Sequence, residues 1–353
     1  MKGIKTVLLG CCIALALQGC GTVAKGKESE MSGKMSTKQH CFGRYVVELP
    51  DYMFMYDGTY HFDNFRLEII QAVKSERPTI EKDWVKYIKG QLARGIKEDG
   101  HRIIHTDMNS NPRVIMTYIN TETNPEKSLH SNYIYDTNYL KSFPERKEWM
   151  LVTGKWITIP RPQPEEKLRS EVQRQLNAQM DDINTITYKP WPHNEPGYCL
   201  DNEYHYYPGR LESSDYYQMT WRSKVKGSAT FLSVDVESYA RGEEARLESR
   251  TSKGKLLQTF FPSTTVKVGG ISGELYTSRS SSTPSAREFQ WIPDESEAGN
   301  RMKPLIKVSG RFDTRDLPPE LRDKVSGEEL ALWVLESLKM RPGGDEDIRM
   351  YGQ

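Results

Sequence analysis

From Cys41 to Leu49 one set of positions, Cys41, Gly43, Tyr45, Val47 and Leu49, alternates with Phe42, Arg44, Val46 and Glu48, and Pro50 ends the run. A period of two predicts a strand. Residues 65–73 (FRLEIIQAV) read as its partner. Pro78 and Thr79 then open a helix running through Asp99, with Ile80, Trp84, Ile88, Leu92 and Ile96 at a spacing of four, Thr79 as N-cap and Gly100 as the stop. Strand-like runs follow in RIIHTDM, RVIMTYI, SNYIYDT and WMLVTGKWITI. After Pro164 a second helix turns Leu168, Val172, Leu176 and Met180 to one side.

Pro190, Pro192 and Pro196 then fall within seven residues, which excludes a regular ladder and marks a junction. Beyond it the pattern restarts. YCLDNEYHYY, YQMTWRSKV and TFLSVDVESY read as strands, RGEEARLES as a short helix, and TVKVGGISGELYTS, REFQWIP and LIKVSGRF as further strands. Ser326 with Glu329 forms a capping box for a closing helix that buries Leu330, Trp333, Val334 and Leu338 and ends at RPGG. Residues 40–188 and 189–345 are therefore expected to be two α+β domains of similar architecture, with mixed or antiparallel sheets and amphipathic helices flanking a cleft, followed by a tail over 346–353. The absence of regular strand–helix alternation argues against a doubly wound fold.

The first residues follow a different pattern. Lys2 and Lys5 precede an apolar run from Val7 to Leu17, and Gly19 stands before Cys20. This is the anatomy of a secretory signal over 1–19, and the run is shorter than the ~20 residues a membrane-spanning helix needs. Cleavage before Cys20 predicts a lipid-modified N-terminus; an ordinary signal cut elsewhere is the alternative. Residues 20–39, rich in Lys, Gly, Ser and Glu without periodicity, are expected to be a flexible tether. Gly21, standing where an Asp would mark inner-membrane retention, points by likeness to bacterial lipoproteins to the inner leaflet of the outer membrane, facing the periplasm.

Five cysteines shrink to two once Cys11 and Cys12 leave with the signal and Cys20 takes lipid. Cys41 and Cys199 open the two expected domains; they are either a disulfide or two buried thiols, and sequence leaves both readings open. Neither has the CxxC or clustered His partner that zinc requires. The chain carries 49 basic and 48 acidic residues, or 47 and 48 without Lys2 and Lys5, so it lacks the basic excess of a nucleic-acid binder.

Candidate chemistry is sparse. Ser272 in GGISGE does not fit the G-x-S-x-G elbow and reads as a turn residue. His101 and His105 lie four apart, but on a strand-like run without the Glu of HExxH. His40, His61, His130, His193 and His205 are scattered, the acidic runs at 294–297 and 345–347 lack calcium-loop spacing, and no phosphate-binding glycine loop occurs. No metal, cofactor or catalytic constellation is therefore expected. Tyr and Trp concentrate in EYHYYPG, SDYYQMTW and SNYIYDTNY, as a binding surface or as cross-strand packing.

CFGRYVVELP opening the first segment and PGYCLDNEY opening the second, after a lipoprotein leader, resemble the two-domain immunity proteins paired with the Tle lipase effectors of type VI secretion, over about residues 40 to 342. The resemblance implies a non-enzymatic periplasmic inhibitor whose partner is a cognate lipase or phospholipase, gripped between two domains so that lipid cannot reach its serine; it identifies no partner-binding residues. The competing readings are an envelope lipoprotein that binds glycan or peptidoglycan, and a hydrolase assembled from residues distant in sequence.

Overall fold

Two-residue periodicity produces strands almost throughout. The computed structural model describes residues 35–70, 86, 101–119, 132–146, 148–210, 212, 215–258, 263–280 and 283–351. The expected signal, the lipidation site Cys20, residues 20–34 of the tether, His130 and all but Lys86 of the helix from Thr79 to Asp99 lie outside the described residues, whereas Thr37–Gln39, expected as the end of the tether, instead begin the strand Thr37–Phe42. The large sheet pairs, in spatial order, β15 (Ser263–Val268), β16 (Ile271–Arg279), β17 (Ala286–Pro293), β18 (Leu305–Asp313), β14 (Phe231–Ser238), β13 (Asp215–Ser223), β3 (Met53–His61), β4 (Phe65–Ile70), β8 (Glu148–Gly154), β7 (Asn132–Phe143), β6 (Arg113–Ile119) and β5 (His101–Asp107). A short β9 (Ile157–Pro160) also pairs with β7, and each ladder is antiparallel. The mixed α+β architecture follows the sequence pattern.

Three predicted runs are broken where the backbone must turn. CFGRYVVELP is two strands, β1 (Thr37–Phe42) and β2 (Tyr45–Pro50), joined at Gly43 and Arg44. Gly43 has φ +50°, and a Cβ there would stand 2.2 Å from the Tyr217 ring, so both conformation and space require glycine. YCLDNEYHYY likewise divides into β11 (Tyr198–Leu200) and β12 (Tyr204–Tyr206) about Asp201, at φ +65°. WMLVTGKWITI breaks at Lys155 and Trp156, between β8 and β9.

The expected boundary near residue 188 is crossed by backbone ladders. β13 pairs with β3 from Tyr216↔His61 to Ser223↔Met53, so the large sheet runs through the seam between the two halves. β10 (Thr187–Tyr188) pairs with β12, and β19 (Lys339–Met340) pairs with β2, which places the first hairpin beside the helix Gly327–Ser337. The proline segment is fixed as well: the Lys189 and Trp191 amides donate to Glu203 and Asn202, and buried Arg341 donates to the carbonyls of Glu195 (2.8 Å) and Gly197 (2.6 Å). Any groove between the halves therefore lies on a shared sheet.

Helices cover this sheet where their apolar stripes demand it. α1 (Glu165–Asn184) buries Leu176 and Ile183 and packs Leu168, Val172 and Met180 against the core. α2 (Glu244–Gln258) extends well past the predicted RGEEARLES. α3 (Gly327–Ser337) starts at the predicted capping box, with Ser326 Oγ accepting from the Glu329 amide and the Glu329 carboxylate accepting from the Ser326 amide, and buries Leu330, Trp333 and Val334. Ser326→Ala is expected to cost about 1 kcal/mol in a urea melt; an unchanged midpoint would show that tertiary contacts alone hold this end.

The aromatic runs go mostly inward. Tyr198, Tyr204, Tyr206, Tyr217 and Trp221 are at most 1 % exposed, within a core that spans both halves. Phe62 of the first half meets Tyr206 and Tyr198 of the second at ring-centroid distances of 4.5 and 4.9 Å. The packing reading thus replaces the binding-surface reading for these residues, because alternate positions on a half-covered sheet must fill its inner face.

Candidate functional site

Two polar joints hold the seam, the first buried and the second half-exposed at its arginine. In the first, the two-residue turn of the opening hairpin drives Arg44 into the core, where its guanidinium lies 4.5 Å over the Tyr198 ring and donates to the Tyr198 hydroxyl (2.6 Å). That hydroxyl donates to Asp215 (2.8 Å), and Arg44 and Arg301 approach the same carboxylate at 3.6 and 3.2 Å. Burial pushes the Asp215 carboxyl up, but the two guanidiniums and bonds from Ser238 and Tyr198 outweigh it and hold it below the usual carboxylate range. In the second joint, Arg210 clasps Asp182 of α1 with both terminal nitrogens (2.7 and 2.6 Å), and Asn64 donates to the same carboxylate. Nearby, Glu212 accepts from the Asp63 amide and the Tyr206 hydroxyl, and burial raises its pKa to about 7.

On the outer side, a groove of about 450 Å³ opens at the seam between His61 and Arg66 of the first half and Tyr216, Glu237, Arg246 and Arg250 of the second. Lys155 forms part of its wall, and the next residue, Trp156, is 60 % exposed. This tryptophan is presented on a rigid turn: the Lys155 amide donates to the Asn64 carbonyl (2.8 Å), and Gln179 of α1 donates to the Lys155 carbonyl (2.7 Å). A fixed, exposed Trp beside a charged groove supplies contact area at small entropic cost.

The sequence candidates assemble no catalytic or metal site among the described residues, although Cys41 meets Cys199 and His193 lies 4.8 Å from His205 between ring centroids. Ser272 is the second residue of β16, opposite Lys267, and not in the turn itself, which is Gly269–Gly270. His101 and His105 lie on β5, separated by a bulge. Cys41 and Cys199 are joined in a disulfide with a Cα–Cα distance of 5.8 Å, beside the paired amides and carbonyls of Gly43 and Cys199. Among the described residues no group of three His, Cys, Asp or Glu is placed to hold a metal ion, and no helix is long and apolar enough to cross a membrane. Sequence reasoning passed over Arg44, Asp215 and Trp156. Arg44, set among Phe42, Tyr45, Val46 and Val47, is the available signal for the first joint.

Burial also makes the seam pH-sensitive. His40, His193 and His205 are all lowered to about 4, chiefly by burial, with Lys38 adding to it at His40, Arg341 at His193, and the neighbouring His193 at His205. The unfolded chain, with histidines near 6.5, binds more protons below that pH. Stability is therefore full above pH 6.5 and falls as pH drops towards 4, by up to ~1.4 kcal/mol per unit for each histidine and less for part-exposed His193. Glu212 acts oppositely: its raised pKa contributes stability below about pH 4.5 that is lost as pH rises to 7. His61, also lowered by burial, acts with the three histidines, and Asp235 and Asp294, also raised by burial, act with Glu212. The three large histidine shifts predict a lower urea midpoint at pH 4.5 than at pH 7, and an equal or higher one would contradict the assignment.

No protein-family model and no curated protein sequence matches the chain. Solved structures do. The apo structure of the immunity protein TplEi of the type VI secretion system from Pseudomonas aeruginosa is 17 % identical, with a TM-score of 0.55, covering 87 % of this chain and 97 % of that one. The same immunity protein complexed with "L" peptide is 16 % identical, covering 88 % of this chain and 99 % of that one at a TM-score of 0.52. The crystal structure of the Tle4–Tli4 complex provides a match at 16 % identity and TM-score 0.53, covering 87 % and 98 %. Across nearly its whole described length, the chain thus has the fold of type VI secretion immunity proteins.

Proposed function

We propose that this chain is an immunity protein that binds a type VI secreted lipase or phospholipase and keeps it from the cell's own lipids. It does so from the periplasm, anchored through acylated Cys20, with no catalysis of its own. The observation that carries this reading is the likeness to immunity proteins over 87 % of the chain, at nearly full coverage of theirs. The seam groove supports it, since a joint built from both halves with a rigid exposed Trp suits a broad protein interface.

The test is co-expression of a periplasm-directed lipase, ideally encoded beside this gene, with and without the chain, scoring growth and then co-purification. Rescue with a stable complex is expected. Failure to rescue or bind across the lipases encoded nearby would remove the reading and favour an envelope glycan-binding lipoprotein. Trp156→Ala is expected to weaken the complex at least about tenfold without shifting the melting temperature. An unchanged affinity would place the interface away from the seam groove.

A further inference from the structure

The opposite end of the β13–β14 ladder carries a second concavity, of about 780 Å³, whose lining includes the cations Arg222, Lys224, Lys226 and Arg311 and no acidic residue. Arg222 lies 3.8 Å over the Tyr56 ring, and Tyr56 and Val225 are 37 % and 43 % exposed. Among the described residues, Arg311 alone of the four cations pairs with a carboxylate, that of Glu288 on the neighbouring strand. The Lys224 ammonium donates instead to the Asp51 main-chain carbonyl at 3.2 Å, while the Asp51 carboxylate takes the Ser36 hydroxyl. Asp316 stands at the edge, bonded by Ser228. The result is an exposed turn, 224–227, with two lysines flanking an apolar Val225 beside a cation-backed tyrosine.

This turn sits where the chain enters the folded body. The Asp51 amide donates to the Ser36 carbonyl at 3.0 Å, and the Lys224 amide donates to the Tyr52 carbonyl at 2.7 Å, so the basic turn is one strand connection away from residue 36. Fourteen residues (21–34) separate Cys20 from Met35. Whatever their conformation, they reach at most ~50 Å, so a body anchored at Cys20 stays close to the bilayer, with the surface around Ser36 nearest its attachment.

We propose that the groove formed by Arg222, Lys224, Lys226 and Tyr56 is a docking surface for anionic phospholipid headgroups of the membrane that carries the leader. Phosphates meet the cations, and Val225 and Tyr56 enter the interfacial layer, where an apolar body with a polar tip is favoured. Docking there would fix the body's orientation and leave the seam groove, at the other end of the same strands, facing away from the lipid. The inference rests on the anchored-lipoprotein reading. Acylation of Cys20 is therefore read separately, by mass spectrometry of the chain purified from membranes.

The direct test uses the mature chain from Gly21 onward, exported without lipid, in co-sedimentation with vesicles of phosphatidylglycerol and phosphatidylcholine in equal parts and with vesicles of phosphatidylcholine alone. Binding to the anionic vesicles is expected, weakened by added salt and on the order of tenfold by Lys224→Glu with Lys226→Glu at an unchanged melting temperature. Val225→Asp, which leaves all four cations, should also weaken it. Equal partition to both vesicles, no binding to either, or anionic binding untouched by the lysine changes would overturn the proposal. So would loss of co-purification with the lipase in the lysine variant while vesicle binding persists, which would assign the groove to a protein partner.

Discussion

Asp215→Ala is expected to destabilise the fold by about 3–5 kcal/mol, the largest effect of any side-chain change at the seam. The carboxylate is 2 % exposed and is the shared counter-charge of two guanidiniums, Arg44 and Arg301, the first almost wholly buried. Removing it leaves two like charges facing each other in a medium that cannot solvate them, and leaves the Tyr198 hydroxyl without its acceptor. Asp215→Asn separates these contributions. It keeps an acceptor for Tyr198 but not the charge, so it should recover only a minor part of the loss. Urea midpoints at pH 7 are the measurement, and a loss below about 1 kcal/mol for the alanine variant would mean that the cations find solvent or another partner. Because the joint connects residues 44, 198, 215 and 301, its failure should also open the seam groove and, under the proposed function, lower effector binding together with stability.

Reduction of the Cys41–Cys199 disulfide, or its replacement by Cys41→Ala with Cys199→Ala, is expected to cost about 2–5 kcal/mol. The bridge closes a loop with a sequence separation of 158, so it removes a large share of the unfolded chain's freedom. It also secures the Gly43 turn against β11, the contact on which Arg44 depends to reach Tyr198. Both sulfurs are in residues no more than 2 % exposed, so a reductant should act only through opening of the structure. Equal melting temperatures for oxidised and reduced chain would sink this expectation. A chain lacking residues 1–19 and made in a reducing compartment should show the lower value, which ties full stability to oxidation of the pair.

Much of the site's framework was readable because local rules governed it. Ser326 and Glu329 announced the start of α3, and period-four apolar residues announced α1. The tight turns were harder: alternation continues unbroken through Gly43 and Arg44, so a hairpin and one long strand share the same pattern until Tyr217 claims the space beside Gly43. Trp156 was read as one more strand residue, and only the break between β8 and β9 exposes it. The Tyr-rich runs carried an ambiguity that no local rule resolves, since an aromatic on a sheet faces core or solvent according to what covers that face.

The sequence by itself determined the local elements: where strands run, where two helices begin, and the likeness of the two openings to a known kind of immunity protein. Tertiary structure alone decided that β3 and β13 join the halves into one sheet, that Arg44, Asp215 and Arg301 meet, and which faces stay open. The physical reason is separation along the chain. Periodicity and capping act within a few residues and leave their mark in the string, whereas strand pairing, buried ion pairs and exposed faces depend on which distant segments share low-dielectric space.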